Sequence, residues 1–118
     1  MATIKSFTSL EQSRKLAEIL PTESADMYYD RGGLPSLIDK YVTHESIKND
    51  KYKHLIPCWS LTALLSVLEH PRCFQGDKPI YWFCGCFGKD KLYHEVEADN
   101  PVDACCKIII ELHKLNLL

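Results

Sequence analysis

The sequence predicts an α+β fold, a small antiparallel sheet covered by about three helices within a single domain spanning residues 1–118. Three observations lead there. Helix starts with clear caps occur near Thr8, at Ser60 and at Asn100, and two runs of period-two alternation, 80–87 and 92–98, fall between the second and third of them. The alternating runs are joined by a short glycine-containing turn, which makes them an antiparallel hairpin. A chain of 118 residues, with 46% hydrophobic and 25% charged residues, supports one core and leaves no room for two.

Thr8-Ser9-Leu10-Glu11 reads as a capping box, with Thr8 as N-cap and Glu11 reaching back to the Thr8 backbone. In the helix that follows, Leu10, Leu16, Ala17 and Leu20 share a face, Glu11, Arg14, Lys15 and Glu18 stay in water, and Pro21 ends the run. Thr22-Glu23-Ser24 forms a turn, and residues 25–30 a short strand before the turn at Gly32-Gly33. The next stretch fits two structures. Leu34, Leu37, Ile38, Tyr41 and Val42 have helical spacing, whereas the β-branched and aromatic content of 38–43 suits a strand paired with the first; a hairpin-like excursion is expected. Residues 44–54 are polar enough for a mobile loop, anchored by Ile47 and Tyr52.

The stretch 56–68 is expected to be the central helix. Pro57 disfavours helix just before it, and the Ser60 side chain can accept from an orphan N–H of the first turn. Trp59 then falls at N′ and Leu64 at N4, a hydrophobic staple that buries the indole, and Leu61, Leu64, Leu65 and Leu68 share a face. Pro71 lies past the end, and residues 72–78, with Gly76 and Asp77, form a connection. In the strand 80–87, Ile80, Trp82, Cys84 and Cys86 point one way and Tyr81, Phe83, Gly85 and Phe87 the other, so that both faces are at least partly covered. In the strand 92–98, Leu92, His94, Val96 and Ala98 oppose Tyr93, Glu95 and Glu97, which leaves an acidic side in water.

Asn100 as N-cap, Pro101 at N1 and Asp103 near the positive end of the dipole open a final helix that runs almost to Leu118. Cys105, Ile108, Ile109 and Leu112 form its inward stripe. Ile110, Leu115, Leu117 and Leu118 widen the apolar surface beyond one contact face, and two covers are open: a symmetric homodimer, or the first helix of the same chain.

A net charge of −2 gives no surplus of basic residues for phosphate, so nucleic acid is not an expected partner. The cluster Lys48, Lys51, Lys53 and His54 is interrupted by Asp50 and reads as a solvated loop. The N-terminal residues lack the apolar run of a secretory signal and no stretch approaches the ~20 apolar residues of a membrane span, so a cytoplasmic protein without a membrane partner is expected. The six cysteines then read as reduced core thiols.

Few groups could carry chemistry. Cys84 and Cys86, with Cys105, Cys106 or His94, suggest zinc, but a pair separated by one residue is spread along the pleat, and apolar packing explains it better; no metal or other cofactor is assigned. Cys58 stands beside a helix N-terminus, where a dipole lowers a thiol pKa, and His54 or His94 could serve as its base, yet nothing in the sequence brings either histidine to it. No glycine-rich phosphate loop or nucleophile elbow is present, so no catalytic residue is assigned. For recognition, Asp26, Met27, Tyr28, Tyr29 and Asp30 mix aromatics with acids near a glycine turn, and Leu117 and Leu118 extend the apolar chain end.

Three segments carry a resemblance: Leu10-Glu11-Gln12-Ser13 through Asp26-Met27, Ile56-Pro57-Cys58-Trp59-Ser60-Leu61 with Ala63-Leu64-Leu65, and Ala98-Asp99-Asn100-Pro101-Val102-Asp103-Ala104-Cys105. Together they resemble a family of short uncharacterised proteins of gut Bacteroides and their phages or mobile elements. The resemblance spans roughly half the chain and implies a cytoplasmic accessory protein, with no functional residues to carry over. The expected function is therefore that of a small non-enzymatic protein-interaction module; the alternatives are an enzyme using Cys58 as nucleophile and a zinc-binding domain.

Overall fold

Short capped helices and short strands follow one another along the chain: α1 (Leu10–Ala17), a 3-10 turn (Thr22–Ser24), β1 (Met27–Tyr29), β2 (Pro35–Leu37), α2 (His44–Lys48), β3 (Ile56–Cys58), α3 (Leu61–Ser66), β4 (Glu69–Gln75), β5 (Trp82–Phe87), β6 (Tyr93–Ala98) and α4 (Pro101–Lys114). The computed structural model describes residues 5–51, 54–77 and 81–118; the first four of the N-terminal residues read above for a signal, and Tyr52, Lys53, Lys78 and Ile80, lie outside the described residues. The fold class is α+β as expected, but the strands form two antiparallel three-stranded sheets instead of one, ordered β2-β1-β3 and β4-β5-β6.

The main core lies between α1, α3, α4 and the inner side of β5. Leu16, Trp59, Leu64, Cys84, Val102, Cys105, Ile108 and Ile109 are all fully buried in this one cluster. Asn100 caps α4 by accepting from the Asp103 amide at 2.9 Å, and the expected stripe of Cys105, Ile108, Ile109 and Leu112 faces inward. Ser60 caps α3 by accepting from the Ala63 amide at 3.2 Å, and Trp59 and Leu64 are both wholly buried, as a staple requires.

Other boundaries differ. The capping box of α1 is built one residue later, on Ser9 and Gln12 instead of Thr8 and Glu11. Thr8 is unavailable because its neighbours are fixed from across the molecule: its amide donates to the Trp59 carbonyl at 2.9 Å, and its hydroxyl accepts from the Trp59 amide at 3.1 Å and bonds Ser13 Oγ at 2.7 Å. On α1 the buried positions are Ser13 and Leu16, while Ala17 is exposed. The central helix is only Leu61–Ser66, because Ile56–Cys58 pairs with β1 as a strand.

The hairpin excursion exists with its second strand at Pro35–Leu37, ahead of 38–43. There the Asp39 carboxylate accepts from the Tyr41 and Val42 amides at 2.8 and 2.9 Å, and the resulting turn takes those residues out of the sheet. Part of the expected loop 44–54 is α2, whose capping box joins Thr43 and Ser46 and which buries Ile47. Residues 72–75 of the expected connection belong to β4, paired with β5 from Arg72↔Gly85 to Gln75↔Trp82. Pro71 is tolerated because β4 is an edge strand, and the register shift between Glu69 and Arg72 places His70 at φ 48, a bulge conformation.

Candidate functional site

The residues expected to carry chemistry are locked into the interior. Cys58 is fully buried among Thr8, Ser13 and Tyr29, with Sγ 3.5 Å from both the Thr8 hydroxyl and the Thr8 carbonyl. Burial pushes its thiol pKa up, the opposite of what a nucleophile needs. Of the two proposed bases, His94 Nε2 bonds the Asp90 carboxylate at 3.0 Å beside the β5–β6 turn and His54 is exposed, whereas the largest influences on the buried Cys58 thiol are burial itself and Thr8, Ser13, Asp26 and Tyr29.

Cys84 and Cys105 do meet, with sulfurs 3.3 Å apart and both side chains fully buried. The Cys105 proton shared with Cys84, together with burial, raises the Cys105 pKa, and burial pushes Cys86 up to about 11 and Cys106 up to about 12. Thiols held in an apolar layer in this way behave as small hydrophobes. Among the described residues no group of three or more His, Cys, Asp and Glu side chains is arranged to hold a metal ion.

The expected recognition segment is split. Asp26 accepts from the Ser60 amide at 2.9 Å and from the Ser60 hydroxyl, and Tyr29 is buried with its hydroxyl donating to the Thr8 carbonyl at 2.7 Å. Met27, Tyr28 and Asp30 are half-buried, and one Asp30 carboxylate oxygen accepts from the Gly32 and Leu34 amides at 2.9 and 3.0 Å. Leu117 and Leu118 are half-buried against their own chain. Asn116, at φ 58, ends α4 in a Schellman turn, with the Leu117 amide donating to the Leu112 carbonyl at 2.8 Å. The Leu117 carbonyl then accepts from the Lys89 amide at 2.8 Å, and both leucines line a recess with Val67 and Leu68.

A cleft of about 490 Å³ lies between α1, α2 and β3, lined by Arg14, Glu18, Lys48 and Asp50 around Ile47 and Ile56. Its charges alternate in sign, and Lys48 is already engaged by Glu23, so the cleft presents no convergent set of groups for one ligand charge.

A different surface stands open. With α4 packed against one face of β4-β5-β6, the opposite face carries three rows of directly paired residues: Phe74, Phe83 and Glu97; Arg72, Gly85 and Glu95; Glu69, Phe87 and Tyr93. Phe74, Phe87 and Tyr93 are 37%, 39% and 40% exposed, values that set them apart from the buried aromatic Trp59. The rings support each other. Phe74 and Phe83 stack at 5.3 Å, Phe87 meets Tyr93 edge-on at 5.8 Å and His70 edge-on at 6.2 Å, and the Arg72 guanidinium lies 5.6 Å from the Phe74 ring centre.

Gly85 makes room for Tyr93 at the middle of this face, because a Cβ there would come within 2.0 Å of the Tyr93 hydroxyl oxygen and push the half-exposed ring aside. The Tyr93 hydroxyl donates to Glu95 at 2.8 Å, which holds the ring down across the glycine. The alternation in 80–87 and 92–98 assigns Phe83, Gly85 and Phe87 to one face and Tyr93, Glu95 and Glu97 to another, but nothing in it shows these faces to be the same one, left uncovered. The missing piece is β4, signalled in the sequence only by the thiol and aromatic residues beyond Pro71. The chain matches no protein-family model, no curated protein and no solved structure.

Proposed function

We propose that the chain is a non-enzymatic protein-interaction module that engages its partner through the outer face of β4-β5-β6. The observation that carries this reading is the exposed aromatic set Phe74, Phe87 and Tyr93 on a sheet face that, among the described residues, no element covers. Aromatic residues provide large contact area at small entropic cost, which suits recognition. Aromatic sheet faces also stack nucleic-acid bases, but Glu69, Glu95 and Glu97 on this face oppose phosphate, and the chain has no basic surplus. Catalysis by Cys58 is disfavoured by its burial and raised pKa. The accessory, cytoplasmic setting that the sequence resemblance implies belongs to this proposal.

The test is site-specific photocrosslinking in cells carrying the gene, with p-benzoylphenylalanine placed at Phe74 and, as a control, at the exposed Lys15 on α1. Protein adducts from position 74 and none from position 15 are expected. Equal adducts at both positions, or adducts to nucleic acid, overturn the reading.

A further inference from the structure

The outer face of β4-β5-β6 is electrically polarised across its central row, while Glu69 on β4 and Glu97 on β6 put carboxylates at opposite corners. Its central row runs Arg72, Gly85, Glu95 from one edge strand to the other. Arg72 and Glu95 stand two strand spacings apart, ~10 Å, so neither neutralises the other within the chain, and among the described residues no ion pair joins them. In this row positive charge therefore lies on β4 and negative charge on β6, and Phe83 and Phe87 of β5 flank the glycine between them.

Resting on the interaction reading above, we propose that the partner is a second copy of this chain, docked face to face through β4-β5-β6 about a two-fold axis running along β5. Rotation about that axis exchanges the two edges while leaving each row opposite itself. Arg72 of each copy then meets Glu95 of the other, and Phe83 and Phe87 lie against their own counterparts. A two-fold axis across the strands would instead set Arg72 against Arg72 and Glu95 against Glu95. Charge in the central row thus selects one of the two ways in which the faces can stack and rejects the other, while Glu97 and Glu69, at the solvent-accessible corners, come to lie beside Phe74 and Tyr93 of the other copy. Such packing is an ordinary aligned sheet sandwich. Three strands of six or seven residues present roughly 300 Å² of sheet plane, against the ~800 Å² per partner of a standard interface, so the association is weak and concentration-dependent.

Sedimentation equilibrium of the purified chain from micromolar to millimolar concentration is the test, applied to wild type, Arg72→Glu and Glu95→Arg, each checked for unchanged thermal unfolding. Wild type should pass from monomer to dimer, and each single reversal should weaken the dimer by about tenfold or more, because it opposes like charges twice per interface. Mixing the two single variants should restore association, since the two reversed side chains then face each other with opposite charge, as do the two native ones. Wild type that stays monomeric at millimolar concentration, a dimer indifferent to the reversals, or a mixture that fails to associate overturns the proposal. A monomer that nonetheless gives a photocrosslink from position 74 to a different protein refutes the second copy alone, whereas a monomer without any such adduct refutes both readings.

Discussion

Trp59 has its whole side chain out of water and still satisfies its one polar atom, the indole N–H, by donating to the Ser24 hydroxyl at 2.9 Å. Ser24 in turn donates to the Pro21 carbonyl at 2.6 Å, so this ring ties the 3-10 turn to the core. Trp59→Ala removes the largest fully buried side chain among the described residues and leaves a cavity between α1, α3 and α4. It should cost about 3 kcal/mol or more, measured by urea denaturation. A loss under ~1 kcal/mol would mean that the ring is not the keystone of the cluster. The neighbouring Thr8 shows how one residue's role depends on distant partners: its hydroxyl looks like a helix cap in sequence, but it is consumed by Ser13 and the Trp59 backbone.

At the level of elements, the N-terminus of α4 serves as an anchor for α1. Asp103 accepts from Asn100 Nδ2 at 2.7 Å within its own helix, from Gln12 Nε2 of α1 at 2.7 Å and from Lys5 Nζ at 2.9 Å. Burial by itself would raise the Asp103 carboxyl pKa, but the hydrogen bonds from Lys5, Gln12 and Asn100 outweigh it and hold the group below its ordinary 3.8. A pKa lower in the folded than in the unfolded state contributes stability that is present above 3.8 and is lost as pH falls through the folded value. Wild type should therefore be more stable than Asp103→Asn at neutral pH, and the difference should shrink as pH drops below 3.8. A difference independent of pH in parallel denaturation curves would show that the charge contributes nothing and that shape alone matters there.

For the whole molecule, the distribution of its six cysteines gives a measurable signature of the fold. Cys58, Cys84, Cys86, Cys105 and Cys106 are buried, and only Cys73, on the edge strand β4, is partly exposed. In the native state Cys73 alone should react with a thiol reagent, at a rate that partial burial slows by raising its pKa, and the other five should follow only on unfolding. A second thiol reacting in the native state would show that the layer between α4 and β5 opens readily. The features legible in the sequence were local ones. Asn100-Pro101 and Ser60 announced their helices, the alternation in 80–87 and 92–98 announced β5 and β6, and the stripe Cys105, Ile108, Ile109 and Leu112 named the face of α4 that meets the core. Each of these signals is complete within a few residues, because a cap or a buried face is specified by its own spacing. Long-range contacts supplied the rest: that Thr8 pairs with Trp59 instead of capping α1, that the strands divide into two sheets, and that β4 exists. An edge strand with one side in water keeps polar residues and even a proline, so its identity comes only from the strand it pairs with, as does the open aromatic face that the pairing completes.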